Sequence, residues 1–196
     1  MPFRSLALAS ALALSPLAVL AAPWTLDTGH THVTFSIDHL GFSTTQAQFR
    51  TVSAEVDFDP DNIEAAQVAF TIDAASFDSN LEARDNHVRG ADFLNVEEYP
   101  EITFISTGVT QTGEGTADVT GDLTMLGITK PVTFQAELRQ IAPSPFNPDL
   151  TVAGFVVTGE IDRTAFDMGY GAPAIGTVIP VRVDLELSPS DQVSTQ

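Results

Sequence analysis

Alternation of apolar and polar residues with a period of two runs through most of this chain and restricts its fold more than any other feature. In one stretch Val33, Phe35 and Ile37 alternate with polar residues. This pattern is typical of a β-strand with one face toward a core and the other toward water. It predicts eight strands, at 32–38, 52–58, 68–72, 102–109, 119–125, 132–138, 155–161 and 181–187.

The segments between these strands favour antiparallel pairing. The stretches 112–115 and 126–129 read as tight hairpin turns because each contains glycine between two alternating runs. Eight antiparallel strands with one apolar face form either a closed barrel or a sandwich. The chain has 13 Phe but only 2 Tyr and 1 Trp. Phenylalanine can line an apolar cavity without leaving a polar atom unpaired, although composition alone equally allows a filled, Phe-rich core.

Residues 78–89 depart from the alternation and are predicted to form a short helix. Ser79 and Glu82 have the spacing of a capping box at its beginning. Arg84 falls on the more apolar face of the helical wheel, whereas His87 falls off it. That face comprises Leu81, Arg84, Asp85 and Val88. A charged group there either forms an ion pair within the protein or contacts the polar end of a ligand.

The beginning of the chain resembles an export signal. Arg4 precedes an apolar run over 6–20, and Val19-Leu20-Ala21 suits a signal peptidase. We therefore expect residues 1–21 to be a signal peptide and 22–196 to form a single domain. No later stretch is apolar for long enough to anchor the chain stably in a membrane. The protein is predicted to be periplasmic or secreted.

Charge and cysteine content exclude several classes of function. The formal net charge is −18, and such a chain repels nucleic acid and anionic membrane surfaces. Cysteine is absent, which removes thiolate nucleophiles and cysteine-ligated metals. Nucleophile-elbow, dinucleotide and phosphate-loop motifs are also absent. The sequence therefore predicts no catalytic residue and no cofactor.

The histidines of the first strand are the obvious place to look for a metal. His30 and His32 share the outward face, whereas His39 is in step with the apolar residues and is predicted to point inward. Separated imidazoles without a positioned carboxylate make a poor zinc site, so no metal is predicted. His39 is then either a hydrogen-bonded core residue or a group deep in a pocket that orients a ligand's polar end.

Four stretches of the chain resemble the YceI-like family. They occur in the family's order across almost the whole predicted mature chain, and together they are specific. They are 26–35 with 39–41, 84–89 with 92–93, 100–104 with 106–107, and 119–124 with 127–132.

This resemblance implies a fold and a ligand. Members of the family form an all-β, eight-stranded antiparallel, lipocalin-like barrel with a helix, and its tunnel holds polyisoprenoid chains or related long lipids. Most members are periplasmic or secreted, and no enzymatic activity is established for the family as a whole. The chain is thus predicted to carry a long-chain isoprenoid or other apolar lipid. The predicted ligand-binding residues are Val33, Phe35, Ile37, His39, Phe49, Phe58, Phe70, Ile72, Arg84, Phe104, Phe134 and Phe155.

Two other functions stay open at this point. The first is an envelope enzyme that acts on a lipid headgroup with His39, His87 or Arg84 at the barrel mouth. The second is a stress-related envelope protein whose barrel is filled and whose surface binds a partner. The sequence also leaves the oligomeric state open.

Overall fold

The structure, a computed structural model, describes residues 22–193. The predicted signal peptide lies outside the described residues. Within them the chain forms ten strands, one α-helix (α1, Glu82–Arg89) and three 3-10 segments, Ile63–Ala65, Ala74–Ser76 and Arg163–Phe166. The strands are β1 (Ala22–His39), β2 (Ser43–Phe49), β3 (Val52–Phe58), β4 (Gln67–Asp73), β5 (Phe77–Asp78), β6 (Glu101–Gly113), β7 (Thr116–Met125), β8 (Ile128–Pro143), β9 (Thr151–Asp162) and β10 (Val178–Pro189).

These strands form one antiparallel sheet that closes on itself. One edge of β1 pairs with β10, and its other edge pairs with β3 near the beginning of β1 and with β2 near its end. Because β2 and β3 follow one another along the same edge, they occupy one position in the wall, and β5 continues the line of β4 beside β2. The order around the wall is then β1, β2–β3, β4, β6, β7, β8, β9 and β10. The predicted eight-stranded antiparallel barrel is confirmed.

Strand β2 was not predicted from the sequence. It places Thr45, Ala47 and Phe49 toward the interior and polar residues outside. The pattern was hidden because two of these inward residues are small or polar, so hydropathy scarcely alternates. Pairing with seven consecutive residues of β1 stabilises the strand despite its weak apolar face.

The predicted capping box is wrong. Helix α1 begins at Glu82 rather than near Asp78, and its N-cap residue Leu81 makes no side-chain capping bond. The Ser79 hydroxyl instead hydrogen-bonds the buried Asp85 carboxylate. Asp78 belongs to β5. The spacing from Ser79 to Glu82 therefore reflected a different network, in which Ser79 is held by a residue inside the helix.

Two glycines allow large aromatic rings to lie across the barrel interior. A Cβ atom on Gly121 would lie 2.4 Å from the ring of Phe104, and one on Gly159 would lie 2.4 Å from the ring of Phe134. These distances are far below van der Waals contact, so the rings occupy the space that side chains at both positions would need. The two rings meet edge to face with their centroids 5.4 Å apart.

Buried side chains pack in two clusters at opposite ends of the barrel. The larger cluster lies at the end covered by α1 and includes Phe77, Leu94 and Phe166. The smaller cluster lies at the far end and is built around Trp24 and Phe58. Within residues 22–193, none of the helices has the length and apolar character needed to cross a membrane.

Candidate ligand cavity

A cavity of about 610 Å³ lies inside the barrel between these clusters. This volume is typical of small-molecule sites, and the lining is overwhelmingly apolar. The filled-barrel alternative is therefore not what the structure contains. All the residues predicted to bind ligand line this cavity: Val33, Phe35, Ile37, His39, Phe49, Phe58, Phe70, Ile72, Arg84, Phe104, Phe134 and Phe155.

Aromatic rings shape much of the cavity wall. Phe35 of β1 stacks on Phe49 of β2 with centroids 5.3 Å apart, and Phe77 packs 6.0 Å from each of them. Toward the far end, the rings of Phe58 and Phe155 meet at 5.4 Å. Such edge-to-face and offset contacts hold the rings in defined positions. The wall therefore presents rings that pack on one another as an apolar surface.

Polar groups gather at one end of the cavity, which we call the mouth and define by His39, Arg84, His87 and Tyr170. His87 Nε2 lies 3.0 Å from a carboxylate oxygen of Asp92. The same imidazole ring packs edge-on against Tyr170, with their centroids 5.3 Å apart. The mouth thus combines hydrogen-bonding groups with flat aromatic faces, whereas the deeper walls offer apolar contact.

Arg84 is held at the mouth by its own chain. Its Nε donates to the hydroxyl of Ser79 at 2.6 Å, and Nη2 donates to the Ser79 carbonyl at 2.7 Å. Ser79 in turn contacts the buried carboxylate of Asp85 through both its hydroxyl and its backbone N–H. Within residues 22–193, Nη1 of Arg84 makes no hydrogen bond. A positioned guanidinium with a free N–H group is suited to donate to an oxygen of a ligand.

A second arginine, Arg163, also lines the cavity and orders the segment that carries Tyr170. Arg163 is buried, and its guanidinium donates to the carbonyls of Met168, Ile175 (2.9 Å) and Gly176 (2.8 Å). These bonds fix the segment 168–176, which carries Tyr170. Burial lowers the pKa of the Arg163 guanidinium below its ordinary value, but arginine stays charged in proteins. Arg163 therefore orders the mouth through three of its five N–H groups, each of which donates to a backbone carbonyl.

Comparison with known proteins identifies the family. The YceI-like domain model matches residues 24–187. A UPF0312 protein of Vibrio parahaemolyticus is 39% identical over 182 residues, which cover 92% of this chain and 93% of that protein.

The chain belongs to the YceI-like family.

Solved structures share the fold of this YceI-like chain. BcnA of Burkholderia cenocepacia superposes with a TM-score of 0.74 at 26% identity, covering 82% of this chain and 98% of BcnA. A polyisoprenoid-binding domain from Saccharophagus degradans, described as implicated in plant cell wall breakdown, superposes with a TM-score of 0.64. At 14% identity, with 86% and 99% of the two chains covered, this second likeness shows the fold alone.

The expected positions of four residues at the mouth of this YceI-like barrel need correction: His87, Leu81, Asp85 and His39. Arg84, His87 and Val88 line the cavity, so the inner face of α1 includes His87, whereas Leu81 is 52% exposed. The helical wheel placed Asp85 on the inner face of α1, but its buried carboxylate turns toward Ser79 instead of the cavity. His39 lines the cavity as predicted, but it lies exposed at the end of β1, so it is neither a core residue nor a group deep in a pocket.

Residues that the sequence did not single out also line the YceI-like cavity, and they include Tyr170 and Ile175. They lie in a stretch of turns after β9, where no periodicity indicates which side chains point inward. The Asp162 side chain accepts a hydrogen bond from the Thr164 N–H, a turn that orients Arg163. An aspartate two residues before threonine was the one local signal available for this segment.

On the outer face of β1 a carboxylate lies beside a histidine. The periodicity of the sequence did not predict this contact. A bulge between Asp27 and His32 brings His30 Nδ1 within 2.9 Å of Asp27 and 4.0 Å of Glu186. The hydrogen bond and charge of Asp27, followed by the charge of Glu186, raise the pKa of His30 above its ordinary value. One side-chain atom from each of Asp27, His30 and Glu186 lies within 4.8 Å of the other two, close enough to bind a single cation. His30 and Asp27 are exposed and already bonded to each other, so their arrangement has a sufficient explanation in hydrogen bonding.

Proposed function

We propose that this YceI-like protein is an exported carrier that binds a long apolar lipid inside its barrel. The ligand classes that fit are a polyisoprenoid, an isoprenoid quinone or a fatty-acid derivative. The observation that carries the proposal is the apolar cavity of about 610 Å³, lined by inward residues of nearly every strand. The description of the Saccharophagus degradans domain as polyisoprenoid-binding supports the same ligand class.

The energetics of the cavity favour a hydrocarbon chain over a polar molecule. Removing apolar surface from water contributes roughly 25 cal/mol per Å², or about 0.8 kcal/mol per methylene group. A polar group buried against Phe35, Phe70 or Phe104 would lose its hydrogen bonds to water without gaining new ones, at a cost of about 1–3 kcal/mol. A long chain therefore gains from every unit it buries, and a polar ligand does not.

The distribution of polar groups favours one orientation of the lipid. Arg84 offers a free N–H at the mouth, and His87 and Tyr170 add hydrogen-bonding atoms and flat rings beside it. Deeper in the cavity the polar lining side chains include Gln111 and Thr116, which bond to the Gly113 carbonyl and the Thr112 hydroxyl and carry no charge. We therefore place the polar end of the lipid at the mouth and its apolar chain along the barrel.

The first prediction tests the cargo. Protein purified from its native envelope should release one long apolar lipid per chain on organic extraction, identified by mass spectrometry. Because apolar contact is not screened by ions, rebinding of the extracted lipid should be nearly equal at low and high salt. A chain that elutes free of lipid and fails to rebind the extract would contradict the proposal. Conversion of the rebound lipid to a product of different mass would favour the enzyme that acts on a headgroup.

The second prediction tests export. The run at 6–20 and the sequence Val19-Leu20-Ala21 favour cleavage after Ala21, since Pro23 disfavours cleavage after Ala22. The exported protein should therefore begin at Ala22, as measured by its intact mass. The family model begins at residue 24, which supports placing the folded domain after this point. Retention of residues 1–21 in the envelope fraction would contradict the prediction.

A further inference from the structure

Strand β1 leaves part of the barrel wall without hydrogen-bonded pairing. On the side facing β2 and β3, Ala22–Trp24 pair with β3 and Val33–His39 pair with β2. Among the residues that the structure describes, those from Thr25 to His32 have no ladder partner on that side. The bulge of β1 falls in this same interval, because its register against β10 shifts between Asp27 and His32. We call this interruption in the wall the side gap.

A groove on the outside of the barrel meets the interior cavity at the side gap. Its volume is about 600 Å³, comparable to that of the cavity. Its outer walls include Thr28 of the bulge and Ile105 of β6. Four residues line both the groove and the interior cavity: Leu26, Ala54, Val56 and Val68. Leu26 and Ala54 lie on stretches of β1 and β3 that do not pair with each other, so the groove and the cavity adjoin there. Val56 and Val68 instead pair with each other in the wall.

The side gap lies well away from the mouth. Phe35 lies on the mouth side of the side gap and pairs with Val181 of β10. Leu26 lies at the gap and pairs with Leu187. At roughly 3.3 Å per strand residue, these partners are separated by about 20 Å along the strand. Trp24 and Phe58 lie beyond the side gap along β1, where their rings pack together with centroids 5.3 Å apart. A chain that enters at the mouth therefore meets the side gap before it meets these rings.

We propose that the side gap is an exit for the apolar tail of a long lipid, and that the outer groove is a second binding surface for the end of that tail. This inference rests on the proposed function, because it assumes a lipid with its polar end at the mouth. Ile105 is 57% exposed on the outer face of β6 and supplies an apolar contact in the groove. A tail longer than the barrel interior would then remain covered instead of folding back on itself.

The charge of the groove selects the tail rather than an anionic headgroup. Glu55 and Asp57 line it, and among its lining residues there is no arginine or lysine. Carboxylates there repel a phosphate or carboxylate headgroup. A neutral hydrocarbon is not repelled, but it gains only where it covers apolar atoms such as those of Ile105, because covering the carboxylates would remove their hydration. The mouth with Arg84 and the groove with Glu55 thus differ in the end of the lipid that they accept.

The test compares two neutral isoprenoid alcohols, the short geranylgeraniol and the long solanesol, both delivered from phosphatidylcholine vesicles. Ile105→Glu places a charge in the groove without touching the interior. It should weaken solanesol binding by about tenfold, since it removes apolar contact from the tail end, and leave geranylgeraniol binding unchanged. Gln140→Glu is the matched control, because Gln140 is exposed on β8 and does not line the groove. It should change neither affinity.

A second measurement reads the position of the tail directly. The chain has no cysteine, so Ile105→Cys can be labelled at one site with a polarity-sensitive fluorophore such as acrylodan. Solanesol should shift its emission to the blue, geranylgeraniol should not, and the same label on Gln140→Cys should respond to neither. If solanesol binds, but Ile105→Glu does not weaken its binding and the label on Ile105→Cys does not shift its emission, the side exit is wrong and the carrier function stands. If neither alcohol binds, the carrier function fails and the side exit falls with it.

Discussion

Replacing Phe35 by Asp should destabilise the fold by several kcal/mol, whereas replacing the adjacent Thr34 by Asp should cost at most about 0.5 kcal/mol. Phe35 lines the cavity and stacks on Phe49, so a carboxylate there would be buried among aromatic rings without a partner. The new group could relieve part of this cost by taking up a proton. Thr34 lies opposite Arg182 on the outer face, where a carboxylate would face a guanidinium. Chemical denaturation of both variants measures the difference.

Milder changes at the same position separate binding from folding. Phe35→Leu keeps an apolar side chain, and Phe35→Ala removes most of it. If the cavity holds the lipid chain, both variants should remain folded by circular dichroism, and lipid affinity should fall from Phe to Leu to Ala. The Thr34 variant should bind as the unchanged protein does. Equal behaviour of the two positions, or loss of lipid only in the Thr34 variant, would show that the opposite face of β1 meets the ligand.

Replacing Arg163 by Met should also be strongly destabilising, by about 3 kcal/mol or more. Methionine fills similar space but leaves the carbonyls of Met168, Ile175 and Gly176 without their donor. The bond to Met168 is buried and the other two are partly buried, and a buried unpaired acceptor costs roughly 1–3 kcal/mol. The segment 168–176 should loosen, so limited proteolysis should cut it faster. Lipid binding should weaken because Tyr170 and Ile175 line the cavity from this segment.

Arg182→Met provides the control for this prediction. Arg182 is exposed and pairs with Asp184 at 2.6 Å on the outer face of β10. Exposed ion pairs contribute about 0–1 kcal/mol, so this variant should unfold nearly as the unchanged protein does. Equal loss of stability in the two variants would mean that the carbonyl contacts of Arg163 do not hold the segment. Retained resistance to proteolysis in Arg163→Met would mean the same.

The wall of the barrel could be predicted because each strand has one apolar face. Val33, Phe35 and Ile37 alternate so regularly that their inward direction follows from strand geometry alone. Strand β2 escaped prediction because Thr45 and Ala47 are weakly apolar, and only its pairing with β1 makes it a strand. The bulge before His32 was equally hidden, since residues from Asp27 to Thr31 carry no periodic signal that distinguishes a bulge from a regular strand.

The mouth was less predictable than the wall because tertiary contacts decide it. His87 was assigned to the wrong side of α1, since the wheel treated the buried Asp85 as facing the cavity when it binds Ser79. Arg163 and Tyr170 lie in a turn-rich segment without periodicity. Its shape depends on hydrogen bonds from the Arg163 guanidinium to backbone carbonyls such as that of Ile175. Hydropathy therefore predicts which residues face inward in a regular strand, where the apolar face repeats every second residue. It does not predict the shape of a loop that is held by one side chain.

Closure of the barrel by β1 and β10 has a consequence for the order in which the chain can fold. The first and last strands of the barrel are neighbours, so Trp24 finds its partner Pro189 only after nearly the whole chain has been made. Contacts between such distant parts of a sequence form slowly, and until β1 and β10 pair, each of them presents an open edge to other chains. A truncation that removes β10 should therefore leave unpaired edges on β1 and β9, which can bind other chains, rather than a slightly smaller barrel. Protection from aggregation thus arrives only with the final strand.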